Sequence, residues 1–228
     1  MEIDHFDPYV GSMQNKLIVA LFASMFATVG CVSGDAGTGT GTGNGNGDGN
    51  GDGNGDGNGD GTGGNNAVCK TATAKFGTVT GTPGKAYLMK DPMDASAPPA
   101  VASSIKLNAS SDLLVVSLFP GAGAFAAGAI KTGTFQITGD DADPQKCGLC
   151  VDLVAKASAT GSAAMYFATS GTVKIIAAGT AVGAKYTWEV SNLTFQEVDD
   201  QTMLIGGACE PSMTSATYTG TLEAEPAN

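Results

Sequence analysis

Cys147-Gly148-Leu149-Cys150 is the stretch of this chain with the clearest chemical potential. Two cysteines separated by two residues can exchange a disulfide or staple a fold, and their surroundings decide which. A thioredoxin-like centre needs the motif to follow a buried strand and to open a helix, whose dipole lowers the thiol pKa. Here Gly139-Asp-Asp-Ala-Asp-Pro-Gln-Lys146 precedes it, and the strand-like Val151-Asp-Leu-Val-Ala-Lys156 follows. That context predicts a structural staple, with disulfide exchange as the sharper alternative. After Cys31 the chain carries Cys69, Cys147, Cys150 and Cys209, an even number that implies two bridges in an exported protein. In an extended segment, residues three apart point to opposite sides. Cys147 and Cys150 are therefore expected to reach different partners, one Cys69 and the other Cys209. Each bridge would then close a long loop, worth roughly 3–5 kcal/mol in the chain-entropy account.

Asp140, Asp141 and Asp143 stand just before the cysteine pair. With Asp199 and Asp200 they could offer oxygens to calcium, although aspartates at such positions usually belong to solvated turns. Glu189 and Glu197 are the carboxylates that a glycoside-hydrolase reading would enlist, and such chemistry needs a cleft and a set separation. Trp188, Tyr166 and Tyr186 could stack on sugar, but Trp188 alternates within a strand-like run and reads as core. No catalytic residue is assigned, and no cofactor is expected, with calcium at these aspartates as the alternative.

Bulk chemistry removes several other functions. The chain has 22 acidic residues against 11 basic ones, a formal net charge of −11. All the basic residues are lysine, so no guanidinium fork exists for phosphate or carboxylate. Nucleic acid and anionic head groups would repel it. The single histidine is His5, which lies ahead of the expected mature protein, so no histidine triad or histidine-ligated zinc is available.

The amino terminus reads as an address. Lys16 precedes the apolar run Leu17 to Val29, which is too short for a bilayer span of roughly 20 residues and suits a secretory signal. Met13 is expected to be the true start, with residues 1–12 an upstream extension and 13–30 the signal. Thr28-Val29-Gly30-Cys31 resembles a bacterial lipobox, although leucine is more usual at the Thr28 position. The resemblance implies cleavage before Cys31, lipidation of its thiol, and attachment to the membrane through several acyl chains. Val32, rather than aspartate, follows the cysteine, which for such lipoproteins implies outer-membrane sorting.

Residues 31–66 then read as anchor and tether. Every second residue from Gly45 to Gly61 is glycine, and none between them is apolar. Glycine loses the most backbone entropy on ordering, and here no buried surface offsets that loss. A glycine-rich coil of this length spans about 30–35 Å. Asp48-Gly-Asn-Gly-Asp-Gly53 matches half an EF-hand loop, but Gly59 stands where the bidentate glutamate belongs.

Residues 67–228 should hold one β-sandwich domain, all-β and antiparallel. Lys185 to Val190 and Thr172 to Ile175 alternate with period two, and Leu113 to Phe119 is nearly continuous, as in a strand covered on both faces. Other strand candidates are Lys75–Thr80, Lys85–Met89, Ile105–Leu107, Phe135–Ile137, Val151–Lys156, Met165–Thr169, Leu193–Val198 and Thr217–Leu222. Phe119 to Gly133 is a small-residue connection with room for one helical turn.

Three motifs, Lys146-Cys-Gly-Leu-Cys-Val151, Tyr166-Phe-Ala-Thr-Ser-Gly-Thr-Val173 and Ser191-Asn-Leu-Thr-Phe-Gln-Glu-Val198, resemble a group of uncharacterised lipoproteins of myxobacteria and their relatives. The resemblance implies a signal, a Gly/Asp-rich linker and a cysteine-containing β domain, and it lends no catalytic residue. The expected function is a non-enzymatic envelope lipoprotein that binds a protein or glycan ligand or plays a structural part. A secreted carboxylate- or calcium-dependent hydrolase and a thiol–disulfide redox protein are the alternatives. Convergent carboxylates in a hollow would favour the first alternative; a Cys147–Cys150 bridge at a helix start would favour the second.

Overall fold

The computed structural model describes residues 69–71, 73–90, 96–107, 111–157 and 162–225. The expected signal segment, Cys31 and the expected glycine tether lie outside them. Nine strands account for most of the described chain: β1 (Lys75–Val79), β2 (Thr82–Met89), β3 (Ala100–Lys106), β4 (Leu113–Leu118), β5 (Gly133–Gln136), β6 (Leu149–Ala155), β7 (Ala164–Ala178), β8 (Lys185–Val198) and β9 (Ser212–Ala224). A single 3-10 turn, Gly123–Phe125, occupies the Phe119–Gly133 connection, as expected, and a second spans Gly139–Ala142.

All-β is what the chain adopts, but the strands belong to one mixed sheet. The pairings β2–β3–β4–β6–β7–β8–β9 return from β9 to β2, which is the closed hydrogen-bonding pattern of a barrel. Antiparallel pairing holds in most places and fails at β9, where both β1 and β2 run parallel. The antiparallel expectation is corrected by these two parallel pairings, and the one mixed sheet does not reproduce the expected sandwich. The reason is length. β7, β8 and β9 have 15, 14 and 13 residues, enough for one edge to serve two partners. The outer edge of β7 takes β6 at residues 164–167 and β5 at 172–175. One edge of β9 takes β1 at residues 212–216 and β2 at 222–224.

The long strands come from segments that the sequence divides. Ser170-Gly171 and Ser191-Asn192 have the composition of turns, yet they lie inside β7 and β8 as register shifts in one continuous ladder. Such bulges add twist and bend, which a closing ring requires. Gly171 has φ +132 and Asn192 has φ +53, both left-handed. A Cβ on Gly171 would also sit 2.6 Å from Leu193 Cδ2. Gly171→Val is therefore expected to cost about 2–3 kcal/mol, the cost of forcing a branched residue into that region, measurable as a lower urea midpoint.

The core fills the ring. On β4, Leu114, Val116 and Leu118 point inward, opposite Ile105, Ser103 and Val101 of β3 and opposite Leu153, Val151 and Leu149 of β6. Trp188 is fully buried, stacks on Tyr218 at 5.6 Å, and donates its indole N–H to Ser103 Oγ at 2.8 Å. That hydroxyl is what allows the indole to be enclosed, since an unpaired buried N–H is costly. Tyr166 and Tyr186 are likewise fully buried, so none of the three aromatic rings offers a face for sugar.

Candidate functional site

The outward-facing residues of β4 and β6, and Phe167 of β7, are buried as well, although they face away from the core of the ring. Ser117 stands opposite Cys150, and Asp152 stands between Val115 and Phe167. Period two along β6 puts Cys150 and Asp152 on this one outer face. Phe119, Pro144, Cys147, Val198 and Thr202 come over from the flanking segments, and a small hollow of about 20 Å³ remains among them, room for roughly one water molecule. Its wall is mostly apolar, with Phe119, Met165, Phe167 and Val198 beside the disulfide.

Cys147 and Cys150 are joined to each other, and Cys69 is joined to Cys209. The expected crossed pairing is corrected. Opposite-pointing side chains follow only where the backbone is extended. Here the chain turns through residues 144–146 and enters β6 only at Leu149, so the two Cα atoms lie 5.4 Å apart and the sulfurs meet. Cys69 and Cys209 meet because β1 and β9 are parallel: Lys75 pairs with Ser212, which brings the segments leading into both strands together.

Asp141 shapes the cysteine turn. It is only 6% exposed, and its Oδ1 accepts the backbone N–H groups of Ala124, Gly148 and Leu149 at 3.1, 2.9 and 2.9 Å. Gly148 is required on steric grounds, because a Cβ there would overlap the Ala122 carbonyl. Asp143 accepts the Gln145 amide and pairs with Lys146 at 3.0 Å, while Asp140 is exposed. Asp199 Oδ1 accepts the amides of Gln201 and Met203 in its own turn. Among the described residues no three histidine, cysteine, aspartate or glutamate side chains gather as a metal group. The calcium candidates therefore do not converge: Asp141 is occupied by amides and Asp143 by a lysine.

The other carboxylates are also apart. Glu189 pairs with Lys174 at 3.5 Å, and Glu197 pairs with Lys70 at 2.6 Å. The Lys70 backbone N–H in turn donates to the Tyr166 hydroxyl at 3.0 Å, so this pair fastens the segment after Cys69 to the ring. Neither glutamate lines the hollow. No protein-family model, curated protein or solved structure matches this chain. The site's chemistry is therefore argued from its geometry alone.

The residue that sequence reasoning passed over is Asp152. It is 7% exposed, it lines the hollow, and no described side chain or amide donates to it. Burial alone pushes its carboxyl from an ordinary 3.8 up to about 7. The signal was available: an aspartate inside the continuous apolar run Val151-Asp-Leu-Val154 has no place on an ordinary strand buried on both faces. The folded state holds this proton more tightly than the unfolded chain does. Between pH 3.8 and about 7, unfolding therefore releases a proton, and raising the pH favours it. The contribution of Asp152 to stability is full below about pH 4, falls through that window and levels off above about 7. Urea midpoints of wild type and Asp152→Asn should diverge across this range, with the variant the more stable at pH 8.

The bridge touches the hollow, but its electrostatics are those of a staple. The Gly148 and Leu149 amides, which at a helix start would face a sulfur, point to the Asp141 carboxylate instead. β6 begins at Leu149, within the motif, so the cysteine pair opens a strand and not a helix whose dipole could act on a sulfur.

Proposed function

We propose that the protein is an exported lipoprotein, anchored through Cys31, that presents this ring domain on a glycine tether to bind a ligand rather than to transform one. The observation that carries the reading is the pairing of all four cysteines beyond Cys31. Such bridges persist in oxidising compartments outside the cytosol. The Cys69–Cys209 bridge also supports display, because it secures the first described residue to the domain at the point where the tether would join. The resemblance to envelope lipoproteins of the myxobacterial type and outer-membrane sorting belong to the same proposal. Palmitate labelling with and without globomycin tests it. Cys31-dependent labelling and accumulation of the uncut precursor under the drug are expected, whereas label that survives Cys31→Ala would overturn the anchor.

One observation favours the redox alternative, namely that the Cys147–Cys150 bridge lies beside a buried carboxyl. Equilibration with thiol buffers decides between the two. A staple should have a reduction potential below roughly −300 mV, and a catalytic pair one above roughly −270 mV.

A further inference from the structure

The hollow beside Asp152 poses a specific physical problem. Asp152 is a residue only 7% exposed in a mostly apolar wall, and among the described residues no cation and no hydrogen-bond donor meets its carboxyl. Burying a carboxylate without a partner is costly, and nothing in the packing of β4, β6 and β7 requires an acid there. Ser117, opposite Cys150 in the ladder, faces the same space with a hydroxyl that can accept or donate. From the structure we propose that this hollow is a binding site for a primary ammonium group on an apolar stem, with Asp152 as its counter-ion and Ser117 as its second acceptor. The proposal rests on the binding function argued above and gives that function a ligand class.

Three considerations select this chemistry. The surroundings are acidic: Asp140, Asp199 and Asp200 lie on the flanking loops, and Lys146, the basic residue there, is already paired with Asp143. With a net charge of −11 on the whole chain, the field favours a cation. The walls select the kind of cation. The hollow admits only a water-sized head, and the apolar side chains of Phe119, Met165, Phe167 and Val198 around it suit the methylene stem that follows the head. The size and donor count narrow it further. Calcium needs six or more oxygens, and the hollow supplies one carboxylate and two hydroxyls, those of Ser117 and Thr202. A space of about 20 Å³ takes an ammonium head more readily than a planar guanidinium fork. Asp152 is the one titratable side chain that lines the hollow; the cysteines there are bridged. Binding should therefore tighten as the pH rises through its titration.

Hexylammonium is the probe, titrated into the intact lipoprotein in detergent and followed by calorimetry and by the carboxyl ¹³C resonance of Asp152. Hexanol serves as the neutral stem of the same length. Hexylammonium is expected to bind at pH 8 at least tenfold more tightly than hexanol and at least tenfold more tightly than at pH 5. Asp152→Asn should lose at least tenfold in affinity, and Ser117→Ala a smaller factor. The near-ultraviolet signal of Trp188 would confirm that both variants keep their core. Nα-acetyl-lysine methylamide separates the two sources of such a group: equal affinity points to a lysine side chain of a partner, weaker affinity to a free amine, and either supports the site. If hexanol binds as well as hexylammonium, or if Asp152→Asn binds as well as wild type, the ammonium assignment is overturned and a binding hollow remains. If no probe perturbs the Asp152 resonance, the ammonium site and the use of this hollow for binding both fall.

Discussion

Replacing Cys69 and Cys209 together by serine is expected to lower the unfolding free energy by about 5 kcal/mol, whereas Cys147→Ser with Cys150→Ser should cost only about 2 kcal/mol. The difference comes from loop length. The first bridge spans 140 positions of sequence and the second spans 3, so the first removes far more freedom from the unfolded chain. The expectation of two long loops fails with the crossed pairing. A loss near 5 kcal/mol is a large share of the roughly 5–15 kcal/mol that holds a domain together. Urea unfolding of the two double variants, each compared with wild type, measures the asymmetry. Equal losses would show that the parallel register of β1 on β9, which brings Cys69 to Cys209, is not the native one.

Asp141→Ala should be strongly damaging, at about 4 kcal/mol, with the melting temperature falling by roughly 10 °C. One carboxylate oxygen serves three backbone amides, and two of them, on Gly148 and Leu149, lie inside the cysteine turn. Removing it leaves buried N–H groups without an acceptor, which costs more than the net worth of the bonds themselves. Asp141→Asn keeps an oxygen in place without its charge and should lose about half as much. Alanine at the exposed neighbour Asp140 should change the melting temperature by less than about 2 °C, as surface substitutions usually do. Thermal unfolding of the three variants separates a structural carboxylate from a metal ligand, since only a ligand would make the loss depend on added calcium.

Strand content was legible wherever the pattern was local. Leu113 to Phe119 reads as a strand covered on both faces, and every residue of β4 is buried. Lys185 to Val190 alternates, and Tyr186, Trp188 and Val190 all enter the core. The pattern misled where a local rule met a long-range pairing. Ser170-Gly171 and Ser191-Asn192 have turn chemistry, and in isolation they would turn. Facing each other across a ladder of 14 and 15 residues, they bulge instead, because the flanking hydrogen bonds and inward side chains outweigh the local preference. β3 shows the complementary failure: Ala100-Val-Ala-Ser-Ser104 carries little β-branched character, and its pairing on both sides supplies what its composition lacks.

The candidate site divides in the same way. The CxxC spacing, the acidic stretch before it and the even number of cysteines are properties of the chain and could be read directly. Which cysteine pairs with which, and which aspartate faces amides, lysine or a mostly apolar hollow, depends on residues far apart in sequence. By itself the sequence determined that the chain is acidic and free of arginine, that its glycine repeat has nothing to bury, and that its apolar residues repeat with the period of strands, because composition and neighbour spacing are local quantities. The tertiary structure alone decided that the strands close into a ring, that β1 and β2 lie parallel to β9, and that Asp152 is left buried with no partner among the described residues. Burial and pairing are properties of what the chain brings together in space, and side chains as distant as Ser117 and Phe167 are brought to Asp152 only by the register of β4, β6 and β7.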